Sequence, residues 1–303
     1  MVRSITIVGA PSSIGIKPYE DGTPRGLDRA PGVLRDLRLA ARIGAEDAGD
    51  VVPPAYRDFH REPGQVRNEA GVIEYSRALA ERLAGVVSEG RFALVLGGDC
   101  SVVLGALLGL RLSSRDPVGL VYLDGHADFA TPAESRTGSA ASMCLGLAVG
   151  RGATALADLG GEKSLVRGGD VALVGRRDED QPWYGQDALR SCGVLDLPGD
   201  RLRRDGIRST RDAVLERVGR ADLAGFWIHL DADVLDSSVM PAVDSPEPDG
   251  PGLDEIAALL VPLVNHPRAL GMELTIYDPN LDLDQICGQR LVALLEAVFA
   301  PPR

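Results

Sequence analysis

Six short apolar runs limit what this chain can become: Ile5–Val8, Phe92–Leu96, Val118–Leu123, Val171–Val174, Phe226–Leu230 and Ala269–Ile276. Each has the length of a strand and is too short for a helix. They are mostly apolar along their length, so they have little polar face to show to water. Strands of that kind belong to parallel sheets covered on both sides. Val51–Val52 and Val194–Leu195 are shorter candidates of the same type. Helix patterns lie between the runs. Pro31 opens "PGVLRDLRLAARI" at the first helical position, where its missing N–H costs nothing. "EAGVIEYSRALAERLAGVVSE", "STRDAVLERVG", "LDEIAALLVPLV" and "RLVALLEAVFA" space their apolar residues three and four apart. Strand–helix alternation predicts an α/β fold, three layers α/β/α around a mostly parallel sheet. No linker or internal repeat divides residues 1–303, which read as one domain.

Ligands of such sheets lie beyond the carboxyl ends of the strands. The residues after each apolar run are therefore the informative ones, and three of these stretches are acidic. "GGDCS" follows Phe92–Leu96, and its Cys100 raises the question of what a cysteine does there. "LDGHADF" follows Val118–Leu123 and spaces Asp124, His126 and Asp128 two apart. "IHLDADVLD" places His229, Asp231 and Asp233 two apart. While the chain stays extended, such residues share one face. Carboxylates gathered there without partners are costly to bury, and divalent cations supply the partners. A two-metal site explains all three clusters together.

Charge and cysteine usage narrow the function classes. Lys+Arg 32 against Asp+Glu 44 gives a net charge of −12, which leaves no basic footprint for nucleic acid and no polybasic membrane patch. No segment reaches the roughly 18 apolar residues of a membrane span, and the apolar run at the N-terminus is too short for a signal peptide. The four cysteines have no CxxC spacing and fit a reducing compartment. A cytoplasmic protein acting on a small cationic molecule is the expectation.

These motifs resemble the ureohydrolase (arginase/agmatinase) family, whose pattern runs G-G-D-H-S, then D-A-H-x-D, then S-x-D-x-D-x-x-D-P. This chain has "GGDCS", "DGHAD" and "HLDADVLDSS" in the same order. The likeness extends to "IVGAPSSIG", "RAPGVLRDL", "TPAESRTGS", "VGRRDED" and "GMELTIYDP", nearly the whole chain. It implies a sheet of about eight strands, a binuclear and usually manganese centre, hydrolysis of a guanidino or amidino group, and a homo-oligomer (trimer or hexamer). Carried over residue by residue, the metal ligands are Asp124, His126, Asp128, Asp231 and Asp233, with Cys100 where the family has histidine. Asp128 would also accept a hydrogen bond from the attacking nucleophile. A cysteine ligates as thiolate, and its softer sulfur tilts the choice of ion from manganese toward zinc.

Where the chain departs from the family, the substrate comes into question. Ala141 stands at the histidine that assists proton transfer, which leaves that role vacant or reassigned. Of the four histidines, His60 and His266 have no link to the acidic clusters. His229 does, and it is the candidate for orienting a ligand or passing a proton. Ile276 stands at the glutamate that grips the guanidinium, so Glu273 or Asp278 is a candidate replacement. The loop "PAVDSPEPDGPGL" adds Asp244 and Glu247 as acceptors for a cation, and Asp180 matches the position near the substrate amine. The expected activity is hydrolysis of a modified guanidine such as N-hydroxyarginine. Hydrolysis of another amide or formimino group is the alternative, and a non-catalytic relic that binds metal is the third.

Overall fold

The computed structural model describes residues 3–57, 62–152, 154–161, 163–180 and 186–300; His60 lies outside them. Eight strands form one sheet: β1 (Ile5–Gly9), β2 (Glu46–Asp50), β3 (Phe92–Leu96), β4 (Val118–Leu123), β5 (Val171–Val174), β6 (Leu195–Leu197), β7 (Gly225–Asp231) and β8 (Ala269–Thr275). Their order is β2-β1-β3-β8-β7-β4-β5-β6, and every pairing is parallel. The helices are α1 (Ala30–Asp36), α2 (Leu39–Ile43), α3 (Glu69–Ser88), α4 (Val102–Ser113), α5 (Cys144–Ala148), α6 (Gln186–Ser191), α7 (Gly199–Val218), α8 (Leu253–Val264) and α9 (Ile286–Phe299). Helix α3 packs on α4, and α8 packs between α7 and α9, giving the outer layers of the α/β/α sandwich. Every residue of β3, β4, β5 and β7 is buried, the result of covering both faces.

The six apolar runs all become strands, but the second strand is not Val51–Val52. It is Glu46–Asp50, just upstream, and it is acidic and largely exposed. As an edge strand it pairs with β1 alone, so no apolar face is demanded of it. Arg35 pairs with its Asp47 and Asp50 at 2.7 and 2.6 Å instead. The single helix expected from Pro31 to Ile43 is two helices. Arg38 takes a left-handed backbone (φ 65°) between α1 and α2, which turns the chain.

Consecutive strands β3 and β4 lie on opposite sides of the β8–β7 pair. The carboxyl ends of these four central strands therefore open toward one another, the place where an α/β sheet binds its ligand.

Candidate metal centre

The acidic motifs converge at that edge, though turns do more of the work than strand alternation. β4 ends at Leu123, so Asp124, His126 and Asp128 sit in the following loop. The His126 N–H donates to Asp124 Oδ1 at 2.6 Å, and Asp128 adopts a positive φ of 45° that swings its carboxylate back under the loop. There it accepts the Tyr122 hydroxyl at 2.7 Å. Asp231 is the last residue of β7. Its carboxylate accepts the Asp233 N–H at 2.8 Å and caps the short 3₁₀ turn that carries Asp233.

Two groups of donor atoms result. In one, atoms of Cys100, Asp124, His229 and Asp231 all lie within 4.8 Å of one another; in the other, those of Asp124, His126 and Asp233 do. Asp124 belongs to both. The Cys100 thiol donates to Asp231 Oδ2 at 2.9 Å, and His126 Nδ1 lies 3.0 Å from Asp233 Oδ2. Asp128 is in neither group but lines the same cavity. The oxygen, nitrogen and sulfur donors suit divalent ions. Asp124 Oδ2 fits that reading: it is buried and has no hydrogen-bond partner.

Electrostatics show how much positive charge the cluster wants. Burial, reinforced by Asp233, pushes the Asp124 carboxyl up to about 7. Asp128 and Asp231 are pushed well up by burial and by neighbouring carboxylates. Burial and then Asp231 raise the Cys100 thiol. Burial is the strongest single influence on Asp233 too, but the His126 ring, the Gly125 N–H and Asp124 together hold it low. Metal-free, the cluster keeps protons; with ions bound it must release them.

A pH experiment follows. The Asp124 carboxyl moves from 3.8 to about 7 on folding, so the folded chain holds that proton more tightly than the unfolded chain does. Its stabilising contribution is complete below 3.8 and is lost as the pH rises through about 7. In chelator, thermal melts should show the metal-free protein less stable near pH 8 than near pH 5. Added divalent ion should reverse that slope, because ions need the deprotonated ligands. A slope unchanged by the ion would separate the carboxylates from metal binding.

The cluster forms the floor of a cavity of about 670 Å³, the size of a small-molecule site. Cys100, Asp124, His126, Asp128, Asp231, Asp233, Ala141, Asp244, Glu247 and Ile276 all line it. Asp244 is ion-paired with Arg25, whose guanidinium stacks on Tyr19 at 4.5 Å.

Four expected substrate or catalytic residues, Glu273, His229, Asp180 and Asp278, do not line the cavity. Glu273 is fully buried within β8 and bonds His229 Nδ1 at 2.6 Å, so it cannot reach a substrate. His229 is itself sealed off, stacked on the Tyr122 ring at 4.1 Å, with no access to the cavity for a proton shuttle. Asp180 is exposed in the turn after β5 and is not part of the cavity wall. Asp278 is occupied as well: buried, it accepts from Gly26 N, Asn280 N and the Tyr19 hydroxyl. His266 lies against Phe226, away from the centre.

Two supporting residues carry more structure than their motifs suggested. Asp99 accepts from Ser12 Oγ, Gly15 N, Ser101 N and Ser101 Oγ, tying the loop after β1 to the one that presents Cys100. Asp178, bonded to Arg176, accepts the Ala127 N–H at 2.9 Å and steadies the loop after β4. Both stand in stretches that the family likeness covers, Asp99 in "GGDCS" and Asp178 in "VGRRDED", but their partners Ser12, Gly15 and Ala127 are distant in sequence.

An all-parallel α/β sheet with donor groups sharing a carboxylate at its central carboxyl edge defines a class, α/β proteins with a candidate two-metal centre. The arginase family model matches residues 3–299. Arginase from Brevibacillus brevis is 28% identical over 305 residues, covering 99% of this chain and 98% of its own. Arginase from Bacillus subtilis is 27% identical over 306 residues, covering 99% and 98%. The solved structure of Bacillus caldovelox arginase superposes with a TM-score of 0.87 at 27% identity, covering 99% of both chains. This chain belongs to the arginase family, metal-dependent hydrolases of C–N bonds in linear amidines.

Proposed function

We propose that this protein hydrolyses a C–N bond of a small guanidino or amidino compound, with a modified guanidine such as N-hydroxyarginine preferred over arginine. The observation that carries the reading is the pair of donor groups sharing Asp124 on the floor of the cavity. Asp124, His126, Asp128, Asp231, Asp233 and Cys100 would hold two divalent ions. Such ions supply Lewis-acid polarisation and a nucleophile from water at neutral pH. Carboxylates and imidazole suit manganese; the Cys100 sulfur favours zinc on its side. Asp128, fixed by Tyr122, faces the cavity and can accept a hydrogen bond from the attacking nucleophile.

Substrate preference rests on what replaces the family's guanidinium grip. Ile276 occupies that point, held at a positive φ of 65° by its N–H bond to Gly98 O at 2.7 Å. A β-branched residue in that region is strained, at a cost on the order of 1–3 kcal/mol. Its side chain makes this part of the wall apolar. Asp244 and Glu247 supply acceptors on the wall, and Arg25 beside Asp244 suits an anionic group at the far end of the substrate. An apolar patch where a full cation is gripped elsewhere also favours a second reading, hydrolysis of an uncharged amide in the same site.

The test is a substrate panel of arginine, agmatine, N-hydroxyarginine and simple amides on manganese- and zinc-loaded protein. The expected order places N-hydroxyarginine above arginine and agmatine. Equal or better turnover of arginine would reject the modified-guanidine preference.

We further propose a cytoplasmic homo-oligomer. Among the described residues no helix is long and apolar enough to cross a membrane, and all four cysteines are free. Leu281, Leu283 and Ile286 stand exposed in one short segment, which supports self-association.

A further inference from the structure

His229 stands in β7 two residues before Asp231, so the two side chains share a face of the strand. Its ring is completely buried, a costly place for an imidazole without partners. Nδ1 has one, Glu273 Oε1 at 2.6 Å, itself fully buried. An ionised carboxylate only accepts, so Nδ1 carries the proton and Nε2 turns its lone pair the other way. Nε2 faces Asp124 Oδ2 at 3.9 Å, too far for a hydrogen bond. Both atoms are buried and neither has any hydrogen-bond partner. Two orphaned acceptors pointing at one another call for a cation between them.

The surroundings agree. The His229 donor atom lies within 4.8 Å of the donor atoms of Cys100, Asp124 and Asp231. Tyr122 stacks on the ring at 4.1 Å with planes 18° apart, which fixes its orientation. A ligating histidine characteristically hands its other N–H to a carboxylate, which sets the tautomer and raises ligand basicity. Glu273 holds that position. The sequence tells the same story from the other side. Cys100 stands where "G-G-D-H-S" has its histidine, and His229 stands where the third family motif has its serine.

We infer that His229 Nε2 is a metal ligand, so that the imidazole missing at Cys100 is supplied from β7, with Glu273 as its positioning residue. The inference rests on the two-ion reading above and deepens it. It gives the ion on the Cys100 side a sulfur–nitrogen–carboxylate set, suited to zinc or cobalt rather than manganese. It also assigns a use to Glu273, which the cavity leaves without one.

X-ray absorption at the cobalt edge tests this on the full-length protein loaded with two equivalents of Co²⁺. The expected spectrum contains two imidazoles per two ions, from His126 and His229, and one sulfur. One imidazole with both ions bound would overturn the inference while leaving the two-ion centre intact. No bound cobalt at all would overturn the two-ion reading together with it. Glu273→Gln retains the shape of the side chain and should weaken one of the two ions by roughly 10- to 100-fold in titration calorimetry, the usual effect of removing a ligand's supporting partner. Unchanged affinity for both ions would show that His229 is not a ligand.

Discussion

Asp231→Asn should leave a folded protein that no longer holds its metal pair and no longer turns over substrate. Asp231 stands at the end of β7 and takes the Cys100 thiol on one oxygen and the Asp233 N–H on the other. The amide is nearly isosteric. Its oxygen can still cap the turn at Asp233, and it removes a carboxyl that burial and its carboxylate neighbours Asp233 and Asp124 push up. The metal-free melting temperature should therefore match or exceed that of the wild type. What the amide lacks is charge. Metal assistance is worth several kcal/mol of transition-state stabilisation, so the rate should fall by roughly 10³-fold or more. Metal analysis after dialysis and a turnover assay decide the matter. Full metal occupancy in the variant would remove Asp231 from the centre.

Gly98→Ala should be the most damaging change of a single methyl group near the site. A Cβ at Gly98 would fall 1.7 Å from the Ser12 carbonyl oxygen, with the Ser12 carbonyl carbon and nitrogen at 2.6 and 2.7 Å. All three are backbone atoms, so no rotamer relieves the overlap. The Ser12 loop is also held to this segment by the Asp99 N–H at 3.0 Å and by the Asp99 carboxylate. The loops must separate, which carries Cys100 away from Asp231 and releases Ile276 from Gly98 O. A cost on the order of 3 kcal/mol, the upper end for overpacking, should appear as a lower urea midpoint in chelator. Gly97→Ala is the control. Its nearest neighbour is the Thr275 methyl at 3.0 Å, a side-chain atom with more freedom to yield. Equal losses from both variants would show that the Ser12 contact is not what makes Gly98 necessary.

The strands were legible because burial on both faces leaves a mark in composition. Every run that became a central strand is predominantly apolar, whereas the edge strand Glu46–Asp50, with one neighbour and a wet surface, carries no such mark. The metal motifs were legible for a related reason. Carboxylates and a histidine at strand ends have few uses that do not involve a cation, and their order matched a family pattern. The geometry assumed for them was only partly right, since Asp128 and Asp233 reach the site through a positive φ and a 3₁₀ turn.

By itself the sequence determined the parallel α/β sandwich, the strand ends that matter, most of the acidic residues that gather there and the oddity of Cys100. These are local properties: apolar runs, spacings of two, and residue types suited to metal. Tertiary structure alone decided which acidic residues face the cavity. Glu273, Asp278 and Asp244 look alike along the chain, yet Glu273 is bound to His229 from the neighbouring strand, Asp278 is filled by the loop after β1, and Asp244 opens onto the cavity beside Arg25. The same holds for His229, whose free nitrogen meets Asp124 across the β4–β7 pairing. A side chain's partner is set by register and by the strand next door, and strand order is a property of the folded sheet that no stretch of sequence contains.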